Sequence, residues 1–382
     1  MAMLANGRLV TPDGIVDGWL ETAGQTITAI GPGEPPRPAD RNLAGRWVVP
    51  GFVDIHVHGG AGADFTTGDL TSAPQIVGLH RRHGTTTMLA SLVTADVDRL
   101  VTTLGSLTEL VDDGLLAGMH LEGPFLAPAR CGAHDRDLLR APDRDIVDRF
   151  IAAGRGGIRM VTLAPELPNA MDSVRSLVDA GVVVAIGHTD ATYEQTRAAI
   201  DAGATVGTHL FNAMPQLHHR KPGPVPALLE DDRVTVELIC DGVHLHPAAV
   251  RMAIRTAGAY RIALITDAMA AAGAGDGDGE YQLGGLAVRV KDGVARLADS
   301  ETIAGSTLTM DRAFQFMIDA GIGIEDAVRM ASTTPARVLG MAHRVGSLAV
   351  GLDADLLVVD QDFGVRAVMA KGTWLHGMKT ER

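Results

Sequence analysis

The sequence predicts an α/β protein, a (β/α)8 barrel carrying a small β-sandwich built from both chain ends. Three observations carry that prediction. Between Val48 and about Leu339, eight apolar runs of β character alternate with amphipathic segments. Short strands broken by turns occupy the first 46 residues, and the same texture returns after Gly346. His, Glu and Asp side chains stand at the C-terminal ends of five of the eight runs.

In chain order, Met3–Val10, Trp19–Thr22 and Thr26–Ile30 read as strands, punctuated by Pro12-Asp13-Gly14 and Gly31-Pro32-Gly33. The barrel runs are Val48–Val57, Thr85–Ala90, Leu115–Leu121, Ile158–Leu163, Val182–Ile186, Thr205–His209, Val234–Ile239 and Arg261–Ile265. Ala73–His83, Val97–Val111, Met171–Ala180, Tyr193–Ala202 and Ala248–Ala257 space their apolar residues at helical intervals between those runs. The rival architecture is a doubly wound open sheet, but no GxGxxG opens a helix after the first run. Gly273–Gly279 is a glycine-rich loop after the eighth run, and Glu280–Leu297 reads as an inserted hairpin. Gly346–Val350, Asp355–Val359 and Val365–Met369 close the chain as strands. The expected domains are therefore 1–47 and 343–382, together forming the sandwich, and 48–342, forming the barrel.

Composition narrows the function. The 382 residues are 46% apolar and carry 45 glycines, which suits a Val/Ala/Leu-packed α/β protein. A net charge of −13 argues against nucleic acid or an anionic membrane as partner, so an anionic ligand needs a local basic cluster. Two cysteines, Cys131 and Cys240, make no disulfide framework and point to a reducing cytoplasm. The N-terminus lacks a signal-peptide pattern, and no run of 18 apolar residues occurs. A soluble cytoplasmic protein is expected.

The stretch Trp47–Gly62 ends in His56-Val57-His58 before its glycines. Alternation along a strand points both histidines to one side, roughly 6–7 Å apart at Cα, where they either grip one cation or sit as satisfied structural histidines. Glu122 ends the third run, His188 the fifth, His209 the sixth and Asp267 the eighth. A barrel opens all its strand ends onto one face, so these six groups converge there as a metal site. Glu166, ending the fourth run, faces the same mouth as an orienting acid or a structural ion pair. Cys131 lies in a loop near the mouth and is expected to be non-catalytic. His244-Leu245-His246 repeats the HxH spacing, but Pro247 signals a turn.

With these residues the chain resembles the metal-dependent amidohydrolase superfamily. Ala331–Ala336, Gly346-Ser347-Leu348 and Gly351–Leu356 add to the likeness. Within the superfamily it is most similar to the N-acetylglucosamine-6-phosphate deacetylase family. The carrying motifs are His120–Phe125, Gly187-His188-Thr189, Thr208–Met214, Asp241–His244, Thr266-Asp267-Ala268 and Ala304–Leu308, in family order along nearly the whole chain.

The resemblance implies a TIM-like barrel and hydrolysis of N-acetylglucosamine 6-phosphate to glucosamine 6-phosphate and acetate, in amino-sugar catabolism or recycling. Some members lack the first-strand HxH and use one metal. This chain keeps it, so one or two divalent ions per subunit are expected. The fourth run, 158–166, contains no lysine to carbamylate, so Glu122 would bridge. His56, His58 and Asp267 would hold one ion, and His188 and His209 the other. Zinc suits such a donor set, and Mn, Fe and Co fit it too. Asp267 would take a proton from the attacking water and hand it to the leaving nitrogen. His134 would hydrogen-bond the substrate carbonyl.

Substrate contacts follow from the same resemblance: Asn212, Ala213 and Arg220 to the phosphate, with His244 beside it, and Ala133, Ile303, Ala304 and Gly305 around the sugar. His218-His219-Arg220-Lys221 is the basic cluster the acidic composition calls for, unless it is merely a solvated loop. A neighbouring subunit supplies part of the phosphate contact in the family, which implies a homodimer with a shared phosphate site. The enzyme alternative is an amidohydrolase of cyclic amides or N-acyl amino acids. The alternative outside catalysis is a metal-free scaffold, which the survival of all six ligands disfavours.

Overall fold

Eight strands follow one another in chain order through a single sheet: Phe52–Asp54, Thr85–Val93, Gly118–Glu122, Ile158–Leu163, Val183–Ile186, Val206–Gly207, Thr235–Ile239 and Ile262–Ile265, numbered here as barrel strands 1 to 8. The computed structural model describes residues 1–274 and 278–376. From strand 2 to strand 8 every neighbouring pair is parallel. The ring closes just beyond strands 1 and 8, where Val57 bridges Ala268 in parallel and the Asp267 N–H donates to the His56 carbonyl at 2.9 Å. Parallel strands covered on both faces carry continuous apolar runs, and strands 3, 7 and 8 are buried at every residue.

Helices stand where the apolar periodicity puts them: Ala73–Arg82, Val97–Asp112, Ala170–Asp179, Tyr193–Asp201 and Pro247–Ala257, with Arg144–Gly154 and Pro224–Glu230 in addition. Val97–Asp112 buries Leu100, Leu104 and Leu107 along one stripe. Asp96 and Asp143 cap their helices, and Thr192 and Gln195 form a capping box. Each such cap stabilises its helix by about 1 kcal/mol.

The chain divides into two compact units, Met1–Asp54 with His80–Thr87 and Met310–Arg382, and Ile55–Leu79 with Met88–Thr309. In the first, both chain ends build one eight-stranded sheet. Its order is Thr373–His376, Val365–Ala370, Leu356–Val359, Trp47–Pro50, Ala2–Thr11, Gly14–Ala23 and Thr26–Pro32, with Arg41–Asn42 also beside Ala2–Thr11. Leu4, Leu9, Leu20 and Ile27 from one end share a core with Leu356, Val358, Ala367 and Met369 from the other.

Three elements differ from expectation. The run Val48–Val57 is two strands in two sheets, since Trp47–Pro50 pairs with Leu356–Val359 and Phe52–Asp54 begins the barrel. Gly51 separates them, and a Cβ there would lie 2.2 Å from Thr86 Oγ1. Gly346–Val350 is an irregular bend rather than a strand, with Gly346 at φ +88°, although Leu348 still enters the terminal core. The inserted hairpin is a three-stranded meander, Gly279–Leu283, Leu286–Lys291 and Val294–Leu297, whose Leu283, Val288 and Ala295 pack with Met269, Ala270 and Ala304. Residues 275–277 of the glycine-rich loop lie outside the described residues.

Candidate active site

The backbone beyond barrel strand 1 is tied on both sides. The His58 N–H donates to the Ala268 carbonyl at 2.9 Å, and the Ser91 N–H donates to the Val57 carbonyl at 2.8 Å. Held this way, His56 and His58 project to the same side, with Nε2 atoms 3.1 Å apart. Glu122, ending strand 3, reaches both, Oε1 lying 3.4 Å from His56 Nε2 and Oε2 3.2 Å from His58 Nε2. Asp267, past strand 8, places Oδ1 3.0 Å from His58 Nε2 and 3.4 Å from His56 Nε2. The other Glu122 contacts run to His188 Nε2 at 3.2 Å and His209 Nε2 at 3.0 Å, those two nitrogens being 3.1 Å apart. Five of the six predicted ligands are thus gathered around Glu122, which is itself the sixth, and all six are buried.

Hydrogen bonds assign the tautomers. His58 Nδ1 faces the Ser91 carbonyl at 3.2 Å, His188 Nδ1 the Arg130 carbonyl at 2.8 Å and His56 Nδ1 the Glu237 carboxylate at 3.1 Å. Each of those oxygens accepts from Nδ1–H, which turns Nε2 into the cluster, the nitrogen a metal ligand there would use. His134 is the reverse case. Its Nδ1 accepts from the Thr94 N–H at 3.2 Å, with Thr94 Oγ1 at 2.8 Å, so the proton sits on Nε2, 3.3 Å from Glu122 Oε2. Burial pushes its pKa down to about 4 against the pull of Glu122, so the ring is a neutral donor at pH 7.

His56 and His58 carry charge opposed to that of Glu122 and Asp267. Burial disfavours ionisation of these four. Even so, attraction to His56 and the His58 hydrogen bond hold Asp267 at about 2, and His56, His134 and His188 hold Glu122 well below its ordinary value. His58 is raised to about 9 by hydrogen bonds to Asp267 and Glu122, and His56 well above its usual value by Glu122, Asp267 and Glu237. In the metal-free cluster, protons on the Nε2 atoms of His56 and His58 offset the Glu122 and Asp267 carboxylates. A divalent cation would take the place of those protons, and the donor atoms of His56, His58, Glu122 and Asp267 all lie within 4.8 Å of one another. Those of Glu122, His134 and His188 do so as well, but the tautomer of His134 makes it a donor. The residues fit a divalent metal.

Three of these residues adopt left-handed backbone conformations, His188 at φ +46°, His209 at +26° and Asp267 at +50°. Such conformations cost about 1–3 kcal/mol each and cluster at functional sites. They persist because neighbours hold the chain there. The Ser306 N–H donates to the Asp267 carbonyl at 2.8 Å, and the Ala127 N–H donates to that of His188 at 2.9 Å.

The cluster floors a cavity of about 460 Å³ lined by His58, Glu122, Ala133, His134, His188, His209, Asn212, Ala213, His244, Asp267, Ile303 and Gly305. Arg130, Leu283, Glu301 and Thr302 complete much of its wall. Ala304 is fully buried and packs into the meander core. Arg220 stands apart, exposed on its loop with Nη1 2.7 Å from His219 Nε2. His244 is pinned to Asp241 at 2.7 Å, whereas His246 caps the helix Pro247–Ala257 and is exposed. Glu166 accepts from Thr189 Oγ1 at 2.5 Å and the Asp190 N–H at 2.6 Å, fixing the turn after His188.

Sequence reasoning passed over Glu237 and Thr94, and gave no role to the fully buried His120 that opens the motif His120–Phe125. His120 Nδ1 lies 3.0 Å from Ser91 Oγ and its Nε2 2.9 Å from Thr162 Oγ1. A lone acid inside the apolar run VTVELIC was the available signal for Glu237. Thr94 carries none.

Residues 47–375 match the amidohydrolase family. An N-acetylglucosamine-6-phosphate deacetylase of Lysinibacillus sphaericus is 40% identical over 327 residues, 83% of this chain and 82% of that one. An N-acetylgalactosamine-6-phosphate deacetylase of Escherichia coli O157:H7 is 39% identical over 375 residues, 96% and 97% of the two chains. In structure, an N-acetyl-D-glucosamine-6-phosphate deacetylase of Mycobacterium smegmatis, an aspartate-to-alanine mutant in complex with N-acetyl-D-glucosamine-6-phosphate, superposes with a TM-score of 0.96. It is 49% identical, with 98% of this chain and 99% of that chain covered. The chain belongs to the amidohydrolase family, among its amino-sugar-phosphate deacetylases.

Proposed function

We propose that this enzyme hydrolyses N-acetylglucosamine 6-phosphate to glucosamine 6-phosphate and acetate. The observation that carries the reading is the cavity itself, whose lining brings together the neutral N–H donor of His134, the buried Asp267 carboxylate and the ring nitrogens of His58, His188 and His209. His56, His58 and Asp267 would hold one divalent ion and His188 and His209 a second, with Glu122 available to both. Zinc suits these nitrogen and oxygen donors. Bound there, such ions lower the pKa of water to about 7 and polarise the amide oxygen.

The chain's own residues do the rest. Asp267, ionised at pH 7, accepts the proton of the attacking water and returns it to the departing nitrogen. His134 donates from Nε2 to the amide oxygen as negative charge grows on it. Ala133, Ile303 and Gly305 bound the sugar with Ala304 buried behind them, and Asn212, Ala213 and His244 approach the phosphate. The cavity wall contains those last three and not Arg220. That arrangement suits a homodimer in which Arg220 of a second copy completes the phosphate site. The barrel, 48–342, carries every one of these residues, and 1–47 with 343–382 serve as its sandwich. No described helix is long and apolar enough to cross a membrane, and both cysteines are free, which favours a cytoplasmic enzyme.

The E. coli relative, 39% identical over nearly its whole length, supports a second reading in which the C4 epimer, N-acetylgalactosamine 6-phosphate, is the preferred substrate. Acetate release from both phosphorylated sugars, both unphosphorylated sugars and an N-acyl amino acid tests the proposal. Preference for the gluco phosphate is expected. Preference for the galacto phosphate installs the second reading, and equal turnover of phosphorylated and free sugars overturns both.

A further inference from the structure

The described structure holds a buried carboxylate that the mechanism above does not use. Glu237 lies mid-way along barrel strand 7, fully buried. Its Oε2 accepts from two directions, His56 Nδ1–H at 3.1 Å and the His209 backbone N–H at 3.2 Å. Its own backbone carbonyl accepts from the Leu210 N–H at 2.8 Å, so one residue clamps the segment after strand 6 with both side chain and main chain. Among the described residues no lysine or arginine pairs with it, and His56 is its one ion-pair partner. Its Oε1 and the Nδ1 of His209 are both buried without a hydrogen-bond partner among those residues.

Buried carboxylates are retained where something compensates their charge, and buried polar atoms left unpaired call for an explanation. Hydrogen bonding alone gives none here. The same oxygen touches a ligand of each ion in the two-metal centre proposed above, His56 of one and the strained His209 of the other. From this we infer that Glu237 is a positioning residue shared by both metal subsites, a single negative charge that orients His56, holds His209 in its left-handed turn and favours cations on both sides. The inference rests on the metal-centre reading. It predicts that the two ions are not independent, because loosening one carboxylate loosens both.

Glu237→Gln separates the charge from the shape, since one amide oxygen can still accept from both N–H groups. Glu237→Asp keeps the charge and withdraws its reach. Stepwise zinc dissociation constants, from competition with a chromophoric chelator, are read alongside anomalous diffraction at each ion position and the melting temperature of the metal-free protein. In Glu237→Gln both constants are expected to rise, about ten- to a hundredfold for the ion at His56, as for other hydrogen-bond partners of metal-bound histidines, and at least threefold for the ion at His209. Glu237→Asp should fail to restore them. Unchanged constants, a change at the His56 ion alone, or a lower metal-free melting temperature with unaltered constants would each overturn the shared role. A wild-type protein that takes up no ion at His56 and His58 instead refutes the metal-centre reading.

Discussion

Replacing His134 by Asn removes a ring whose protonation the backbone has already settled. Two Thr94 groups, the N–H at 3.2 Å and Oγ1 at 2.8 Å, converge on His134 Nδ1, and burial keeps the ring neutral down to about pH 4. The remaining proton on Nε2 faces the cluster, 3.3 Å from Glu122 Oε2, where an amide oxygen would gain charge. Asn is too short to present a donor there. Losing one such preorganised donor raises the barrier by about 2.7–4 kcal/mol, so kcat should fall about 10²–10³-fold. Thr94→Val is the finer probe. It deletes the hydroxyl and keeps the backbone N–H, so the tautomer survives and kcat should drop only about two- to tenfold. The assay is steady-state acetate release from N-acetylglucosamine 6-phosphate with zinc-saturated protein, metal content being measured on the same samples. A His134→Asn enzyme within threefold of wild-type kcat would falsify the donor role. A loss of activity that tracks lost zinc would make His134 a ligand instead.

Replacing both His56 and His58 by Asn should remove one of two bound ions and leave the one held by Glu122, His188 and His209. Metal analysis showing two ions, or none, contradicts that division. Arg220→Ala should lower kcat/KM for the phosphorylated sugar about ten- to a hundredfold, mostly through KM, since a charged hydrogen bond contributes about 1.5–3 kcal/mol. The free sugar should be unaffected, and equal losses on both would show that Arg220 does not hold the phosphate. Away from the site, buried Asp231 accepts a pair of hydrogen bonds from Arg233, at 2.9 and 2.7 Å, and another from Arg197 at 2.8 Å. These arginines hold its pKa below the ordinary carboxylate value, so its stabilisation is present above about pH 4 and lost as pH falls further. Asp231→Asn should destabilise the metal-free protein by about 1–2 kcal/mol at pH 7, a figure kept low because both arginines are part-exposed. Urea unfolding should show that gap closing toward pH 3, and a gap independent of pH would rule out the charge.

How far the sequence reached depends on how local each signal is. The eight barrel strands were legible because parallel strands covered on both faces are largely apolar, and the six proposed ligands stand out at the ends of such runs. The division of Val48–Val57 between two sheets was not legible. Both halves are equally apolar, and the one local break, Pro50-Gly51, does not say that they join different sheets. Gly346–Val350 has strand-like composition, yet its opening glycine takes a left-handed turn. Glu237 reads as one acid in a strand, because its partner His56 lies 181 residues away in sequence. The opposite tautomers of His134 and His188 depend on a backbone N–H at Thr94 and a carbonyl at Arg130, groups that every residue possesses and no pattern marks.

The left-handed turns at His188, His209 and Asp267 restrict which substitutions an engineer can use. At φ +26° to +50°, Asn, Asp, His and Gly are tolerated, while β-branched residues clash. Two alphabets are therefore superimposed at these positions, one of donor atoms and one of permitted backbone. A library meant to exchange the metal by installing Glu, Thr or Cys at 188, 209 or 267 would confound altered coordination with a shifted main chain. Exchanges among His, Asn and Asp would vary the donor while leaving the loop where it is. Position 122 ends a regular strand and lies outside this restriction, so it is where longer or softer ligands can be tried first.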